Sequence, residues 1–399
     1  MDGKRKIPMK VLLISTSECG GGGAIAARRL MEALTKNGVE VKMMVRDKQT
    51  NDTRVVKVGN KLPKLLERLA ILPHVGFDRS RLWQADIANV GINITGTKEF
   101  QEADIIHLHW VNQGMISLDE MDKIMNSGKR IIWTLHDEWP YLGVCHYRGE
   151  CAEKECHNCP LLGGSLPHSN YIRKHTMYHK THPTFVGCSK WIAQEAQKAL
   201  PGERIEHINN CIPANIFHPT NRQQARKDLS LPPDKQLVLF CSQKATDERK
   251  GMKYLIEALQ KLPNDSLHLV IVGKDSHQIP LPDSIEATHL GSVSEQMMPS
   301  IYNAADAFVT PSLQDNLPNT IAEAMSCGTP CVGFNIGGIP EMIDHMQNGY
   351  VARYRETADL ADGISYVISH DLRQNAHFKA TTNYDETSVA QQYIKLYQA

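Results

Sequence analysis

Neither sign of charge is in surplus: 44 Lys and Arg are matched by 44 Asp and Glu in 399 residues. A protein that binds nucleic acid by neutralising phosphates carries a basic excess, so this balance argues against that class. No apolar run approaches the ~20 residues that a membrane-spanning helix needs. The opening MDGKRKIPMKVLLIST sets charge before an apolar run of only VLLIS. A secretory leader needs an apolar core of about 7–15 residues, so the run is expected to be a first core strand. On this reading the protein works in the cytoplasm, where its ten cysteines stay as thiols or bind metal. Low-complexity tracts and short repeats are also missing. What remains is ordinary for a globular chain, 41% hydrophobic and 22% charged, with length for two or three domains.

Short apolar runs alternate with helical patterns, which predicts parallel strands buried on both faces. KVLLIST (10–16), VEVKMMVRD (39–47), DIIHLHW (104–110), RIIWTLHD (130–137) and TFVGCS (184–189) are expected strands, with a helix over 24–38. The stretch 209–234, rich in Pro, Asn and Arg, reads as a linker. The pattern then restarts with QLVLFCS (236–242), LHLVIVG (267–273), DAFVTPS (306–312) and PCVGFN (330–335). Two doubly wound α/β units with ligands at their carboxyl-end loops are therefore expected.

The most informative segment is PSLQDNLPNTIAEAMSCGTPCVGFNIGGIPEMI, 311–343. Asn316 is an expected helix N-cap, Pro318 suits the first turn, and Gly328 suits the position past the helix end. The amides of Asn319 and Thr320 then point out of a helix terminus, a natural phosphate site. Glu323, about one turn further in, can accept the two hydroxyls of a ribose. Upstream, SQKATDERKGMKYLIEALQKL (242–262) places Lys244 and Lys250 before a helix. In isolation KATDERK is as well explained by a solvated charge run.

Asp315, seven residues, then Glu323, followed by A-M-x-C-G-T-P and G-G-I-P-E, resembles the acid–seven–Glu signature of the family 4 glycosyltransferases. That pattern usually has Glu at both ends. Asp315 in first place shortens the reach by one methylene. The resemblance runs through HINNCIPANIFHP (207–219), the lysine segment, VGK (272–274) and HLGSVSEQMMPSIYNAADAFVTPS (289–312). Lys244 stands where an arginine is usual. The resemblance implies a GT-B fold of two facing Rossmann-like domains with the cleft between them. The implied parts are an acceptor-binding domain (1–208, with a cysteine-rich insertion at 145–160), a linker (209–234), a donor-binding domain (235–383), and a final helix (384–399) crossing back. The implied activity is retaining, metal-independent transfer from a nucleotide-diphosphate sugar to a saccharide or lipid-linked acceptor, in surface polysaccharide or glycoconjugate synthesis. Lys244, Lys250, Asp315 and His136 would be catalytic. Gly22, Gly23, Lys244, Lys250, Asn316, Leu317, Pro318, Asn319, Thr320 and Glu323 would bind the donor. The chemistry fits, because negative charge grows on the leaving phosphate, and cations with helix-end amides stabilise it without a metal.

Several features allow two readings. Gly20–Gly23 would let a ligand or the opposite domain approach the backbone. Gly21, Gly23 and Ala26 also match a dinucleotide fingerprint, which needs an acid such as Asp47 and ignores the second half of the chain. His136 closes a strand on the cleft side; His107 and His109 line the acceptor site or are structural. Cys145, Cys151, Cys156 and Cys159 suit a structural zinc ion, with free thiols, an iron–sulfur cluster or disulfides as alternatives. His146 and His157 are substitute ligands. The stretch 61–83 carries Lys61, Lys64, Arg68, Arg79 and Arg81 beside Leu62, Leu65, Leu66, Leu69 and Leu72. Such a stripe usually faces a core, and otherwise rests on anionic lipid at the inner face of a membrane. Two rival functions remain: a nucleotide-sugar epimerase on a similar fold, and a non-catalytic nucleotide-sugar binder with a zinc interaction module.

Overall fold

Runs such as KVLLISTS and LHLVIVGK are apolar at nearly every position, so they are stable only where a sheet is covered on both faces. The computed structural model describes residues 9–263 and 265–399. They divide into two units: the residues through Asn209 with Thr387–Ala399, and Asn210–Glu386.

The first unit holds β1 (Lys10–Ser17), β2 (Glu40–Asp47), β3 (Val55–Lys57), β4 (Ile105–Leu108), β5 (Arg130–Leu135), β6 (Thr184–Gly187) and β7 (Arg204–His207). All pair in parallel, in the order β3-β2-β1-β4-β5-β6-β7. Leu12, Ile14, Ile106, Leu108, Trp133 and Phe185 lie in its core. The second unit holds β8 (Gln236–Lys244), β9 (Leu267–Lys274), β10 (Ala287–Gly291), β11 (Ala307–Thr310), β12 (Cys331–Phe334) and β13 (Gly349–Ala352). Its order is β10-β9-β8-β11-β12-β13, again all parallel. Strand order therefore reverses between β1 and β4 in one unit and between β8 and β11 in the other. At such switch points the loops leaving adjacent strands diverge and open a ligand crevice.

Two expectations change. Residues 210–234 are not a free linker but part of the second unit. They include the helix Arg222–Asp228, whose buried Arg226 donates to Ala304 O, Pro233 O and Lys235 O and pairs with Asp306 at 2.6 Å. The leucine stripe does not face a core. In the helix Leu62–Ile71, Glu67 and Ile71 are buried, whereas Leu62, Leu65, Leu66 and Leu69 are 57%, 56%, 43% and 55% exposed. The helix turns its acid inward because Glu67 accepts the backbone N–H groups of Ile87, Ala88 and Asn89 at 2.7, 2.8 and 3.2 Å.

The closing helix Glu386–Gln398 buries Val389, Ala390, Tyr393, Leu396 and Tyr397, and from Thr387 onward it belongs to the first unit. Among the described residues no helix is long and apolar enough to cross a membrane.

Candidate active site

At the switch point of the second unit, β8 ends on exposed Lys244. The next turn is tied to the end of β9 by Ala245 N–H donating to Lys274 O at 2.8 Å. Asp247 then caps the short turn Glu248–Lys250, accepting from Arg249 N at 3.0 Å. Gly251 follows at φ +73°, where a Cβ would stand 1.8 Å from Pro311 O, so only glycine fits. Leu313 N–H donates to Arg249 O at 2.7 Å. These contacts place the Lys250 ammonium on Asp315, with Nζ 2.6 Å from Oδ2. The two residues that the sequence marks as reacting partners are thus in direct contact across 65 positions.

The G-G-I-P-E stretch braces Asp315 and Asn316 from beneath. Gly337, at φ +55°, packs where a Cβ would lie 1.8 Å from Asp315 O, and Gly338 N–H donates to Asn316 O at 2.7 Å. The helix Asn319–Ser326 starts two residues later than a cap at Asn316 requires. Its N-cap is Pro318 with no side-chain cap hydrogen bond, and Asn316 is 2% exposed. Asn316 is therefore not the cap, because burial beneath the loop withdraws it from the helix end. Leu317 and Pro318 are buried beside it, while Asn319 and Thr320 are half-buried in the first turn. Asn319 Oδ1 accepts from Asn210 Nδ2 at 3.0 Å.

Glu323 is buried, and its Oε2 accepts the hydroxyl of fully buried Tyr302 at 2.8 Å. Burial, then the charge of Glu323, pushes the Tyr302 hydroxyl well above its ordinary range, so it remains a donor. The same two causes raise the Cys241 thiol to about 12. Tyr302 is absent from the sequence reading. Its only signal is its place in the SIYNAADAF stretch, one helix before the motif.

In the first unit Gly22 and Gly23 lie in the first turn of the helix Gly22–Lys36, whereas the other donor-site candidates lie in the second unit. A Cβ on Gly23 would stand 3.0 Å from the His136 ring, so this glycine makes room for that imidazole. His136, just past β5, holds His109 Nδ1 at 3.0 Å from its Nε2. His107 is clamped between Tyr397 Oη and Thr134 Oγ1, both at 2.8 Å, and Thr134 also pairs with Tyr393 Oη at 2.9 Å. Burial lowers His107 to about 3 and His136 to about 4, and takes His109 well below its ordinary 6.5. All three imidazoles are neutral near pH 7, so they act through hydrogen bonds rather than charge. Asp47 pairs with Arg46 at 2.5 Å, which leaves the dinucleotide reading without its acid.

The four cysteines are free thiols. Cys159 is buried in a small cluster with Val144 and Leu162, and Cys145 packs against it. Cys156 Sγ accepts Gly143 N–H at 3.3 Å. The four sulfurs do not share one close shell. Among the described residues, the set of three donor atoms close enough to share an ion is Glu155, His157 and His168. His146 is committed elsewhere, with Nδ1 2.7 Å from Asp137.

The sequence matches Glycosyltransferase Family 4 over residues 20–215 and Glycosyl transferases group 1 over residues 235–370. It is 24% identical over 379 residues to a D-inositol 3-phosphate glycosyltransferase of Mycolicibacterium smegmatis, spanning 89% of this chain and 80% of that protein. Among solved structures, sucrose-phosphate synthase from Thermosynechococcus elongatus superposes with TM-score 0.70 at 17% identity, over 98% of both chains. Anabaena HepE in complex with UDP-glucose gives 0.66 at 17% identity, over 97% of this chain and 99% of that one. With the two strand orders and the lysine–acid pair at the second switch point, these matches show that the chain belongs to the family 4 glycosyltransferases and has the GT-B fold.

Proposed function

We propose that this enzyme moves a sugar from a nucleoside-diphosphate donor to a saccharide or lipid-linked acceptor with retention of anomeric configuration, without a catalytic metal, in surface polysaccharide or glycoconjugate synthesis. The observation that carries this is the Lys250–Asp315 pair at 2.6 Å beside the amino end of the helix Asn319–Ser326. An incoming diphosphate draws Lys250 to itself and frees the Asp315 carboxylate for a sugar hydroxyl. As the glycosidic bond breaks, negative charge grows on the leaving phosphate, and Lys250, Lys244 and the helix-end amides stabilise it. Glu323, oriented by Tyr302, accepts the ribose hydroxyls. HepE binds UDP-glucose, which makes UDP-glucose the first donor to try.

The test is incubation with UDP-, GDP- and ADP-sugars and a panel of acceptors, with the product anomer read by NMR. Transfer with retention, undiminished by brief EDTA treatment, is expected. An inverted product, or activity lost to EDTA and restored by magnesium or manganese, overturns the mechanism.

The exposed leucines support a lipid-linked acceptor reached at the cytoplasmic face of a membrane. Leu62, Leu65, Leu66 and Leu69 are exposed on one helix, Lys64 and Arg68 lie over exposed Trp83, and Lys61, Arg79 and Arg81 are near in sequence. Apolar insertion with a cationic rim matches an anionic bilayer. The chain should float with phosphatidylglycerol vesicles and not with phosphatidylcholine vesicles, and Leu65→Glu with Leu69→Glu should abolish flotation. Flotation that ignores lipid charge and both substitutions rejects this assignment.

A further inference from the structure

The segment after His136 folds around very little. No residue from 147 to 158 is buried, and apolar burial resumes at Cys159 and Leu162, which join Val144, Ile71 and Ile87 in a small cluster. Yet this coreless loop holds a specific conformation. Glu155 and Cys156 are consecutive non-glycine residues in left-handed backbone, at φ 54° and 58°. Such conformations are costly and persist where other interactions hold them in place. Two polar contacts converge on Glu155. Its carbonyl oxygen accepts Nδ1–H of His168 at 2.7 Å, and its Oε2 lies 3.5 Å from Nε2 of His157. His168 stands in the first turn of the helix Leu166–Thr181, so the loop is tied to that helix by polar groups.

The two imidazoles also meet each other, stacked with centroids 3.7 Å apart and planes 23° from parallel. One ligand atom each from Glu155, His157 and His168 lies within 4.8 Å of the other two. A tetrahedral ion with nitrogen and oxygen ligands at about 2.0–2.1 Å needs its donors about 3.3 Å apart. The His157–Glu155 separation is already close to that. Glu155 and His157 are exposed and His168 is half-buried, so the remaining closure takes side-chain rotation and no core repacking. The hydrogen bond of His168 prepares its ring for an ion. A carbonyl oxygen only accepts, so Nδ1 carries the proton and Nε2 of the neutral ring keeps its lone pair. Metal-binding imidazoles have their other ring N–H held in this way, which fixes tautomer and orientation. Two imidazole nitrogens and one carboxylate oxygen suit a late first-row divalent ion, whereas magnesium and calcium favour oxygen donors.

We propose that Glu155, His157 and His168 bind one zinc ion, with water in the fourth position, and that this ion pins the loop 147–158 to the helix Leu166–Thr181. The ion supplies the fixation that the loop cannot draw from apolar burial. All three ligands belong to the first unit, and none belongs to the donor machinery proposed for the second. Failure of either reading therefore leaves the other standing.

The full chain, stripped with EDTA and dialysed, is titrated with zinc chloride alone. Isothermal titration should show one saturable site. Saturation should slow trypsin cleavage after Arg148 and Lys154 by at least fivefold. His157→Ala should weaken zinc binding at least tenfold, and so should His168→Ala. Because His168→Ala also removes the bond to Glu155 O, Glu155→Gln is the second probe; it keeps that carbonyl and should likewise weaken zinc at least tenfold. Cys151→Ser and Cys156→Ser should bind zinc as the parent does, and cobalt should give d–d absorption without thiolate charge-transfer bands. The proposal is overturned by the lack of a saturable site, by zinc affinity that ignores His157→Ala and Glu155→Gln, by thiolate bands with cobalt, by zinc that leaves with the cysteines, or by cleavage that saturation does not slow.

Discussion

At the scale of single residues, the proposed donor site depends on contacts between groups far apart in sequence. Lys250→Ala removes the ammonium that pairs with Asp315 and, on the proposed mechanism, strips a cation from the leaving phosphate. Loss of one such preorganised contact costs about 2.7–4 kcal/mol in the transition state. Turnover should fall by two to three orders of magnitude while thermal unfolding stays near that of the parent; unchanged turnover would remove Lys250 from the mechanism. Tyr302→Phe leaves one oxygen of buried Glu323 without its hydroxyl donor. Nucleotide affinity should drop by about 1–3 kcal/mol in isothermal titration, and Glu323→Gln should weaken it as well. The histidines give a pH prediction. His107 and His136 hold folded values of about 3 and 4 against an ordinary 6.5. Below pH 6.5 the unfolded chain binds protons that the folded chain refuses, so their contribution to stability falls as pH drops from 6.5 toward 4. Ring signals of His107, His109 and His136 should stay in the neutral position at pH 5.5 in NMR spectra, and a midpoint near 6.5 would contradict their burial.

At the scale of elements, loop geometry decides whether the site forms. The Glu248–Lys250 turn reaches Asp315 only because Gly251 adopts φ +73° against Pro311 O. Gly251→Ala must push that turn away from β11. It should lower the melting temperature and weaken nucleotide binding together, measured by calorimetry with and without nucleotide. Full binding in a destabilised protein would show that the turn moves without carrying Lys250. The leucine helix teaches a related lesson. Its spacing is that of an ordinary amphipathic helix, and spacing alone favours a buried stripe. The orientation is set instead by Glu67, whose carboxylate satisfies three backbone N–H groups of the segment 87–89. Turning the helix over to bury the leucines would leave those three amides without their acceptor inside the fold.

At the scale of the whole molecule, the last residues of the chain complete the first unit. Tyr397 and Tyr393 deliver their hydroxyls to His107 and Thr134 beneath the histidine cluster. Tyr397→Phe leaves a ring nitrogen of buried His107 without a partner and should cost about 1–3 kcal/mol in urea unfolding. Nucleotide affinity, which the proposed function assigns to the other unit, should be unchanged; a parallel loss of both would contradict that assignment.

The sequence by itself determined a great deal. Apolar runs in alternation with helical patterns specify two parallel sheets, since such strands are stable only when covered on both faces. The spacing of Asp315 and Glu323 and the glycines after them marked the proposed donor site, because they lie in one loop–helix stretch, whereas Lys250 reaches Asp315 from 65 positions upstream. Tertiary structure alone decided the rest. Asn316 left the cap position because it is buried. Glu323 gained Tyr302, His107 gained Tyr397 from 290 residues away, and the leucines were turned to solvent by one buried acid. The reason is common to all of these. Periodicity and spacing report which neighbours a residue has along its own element, whereas a buried polar group must find a partner wherever the fold brings one, and that partner has no period in the sequence.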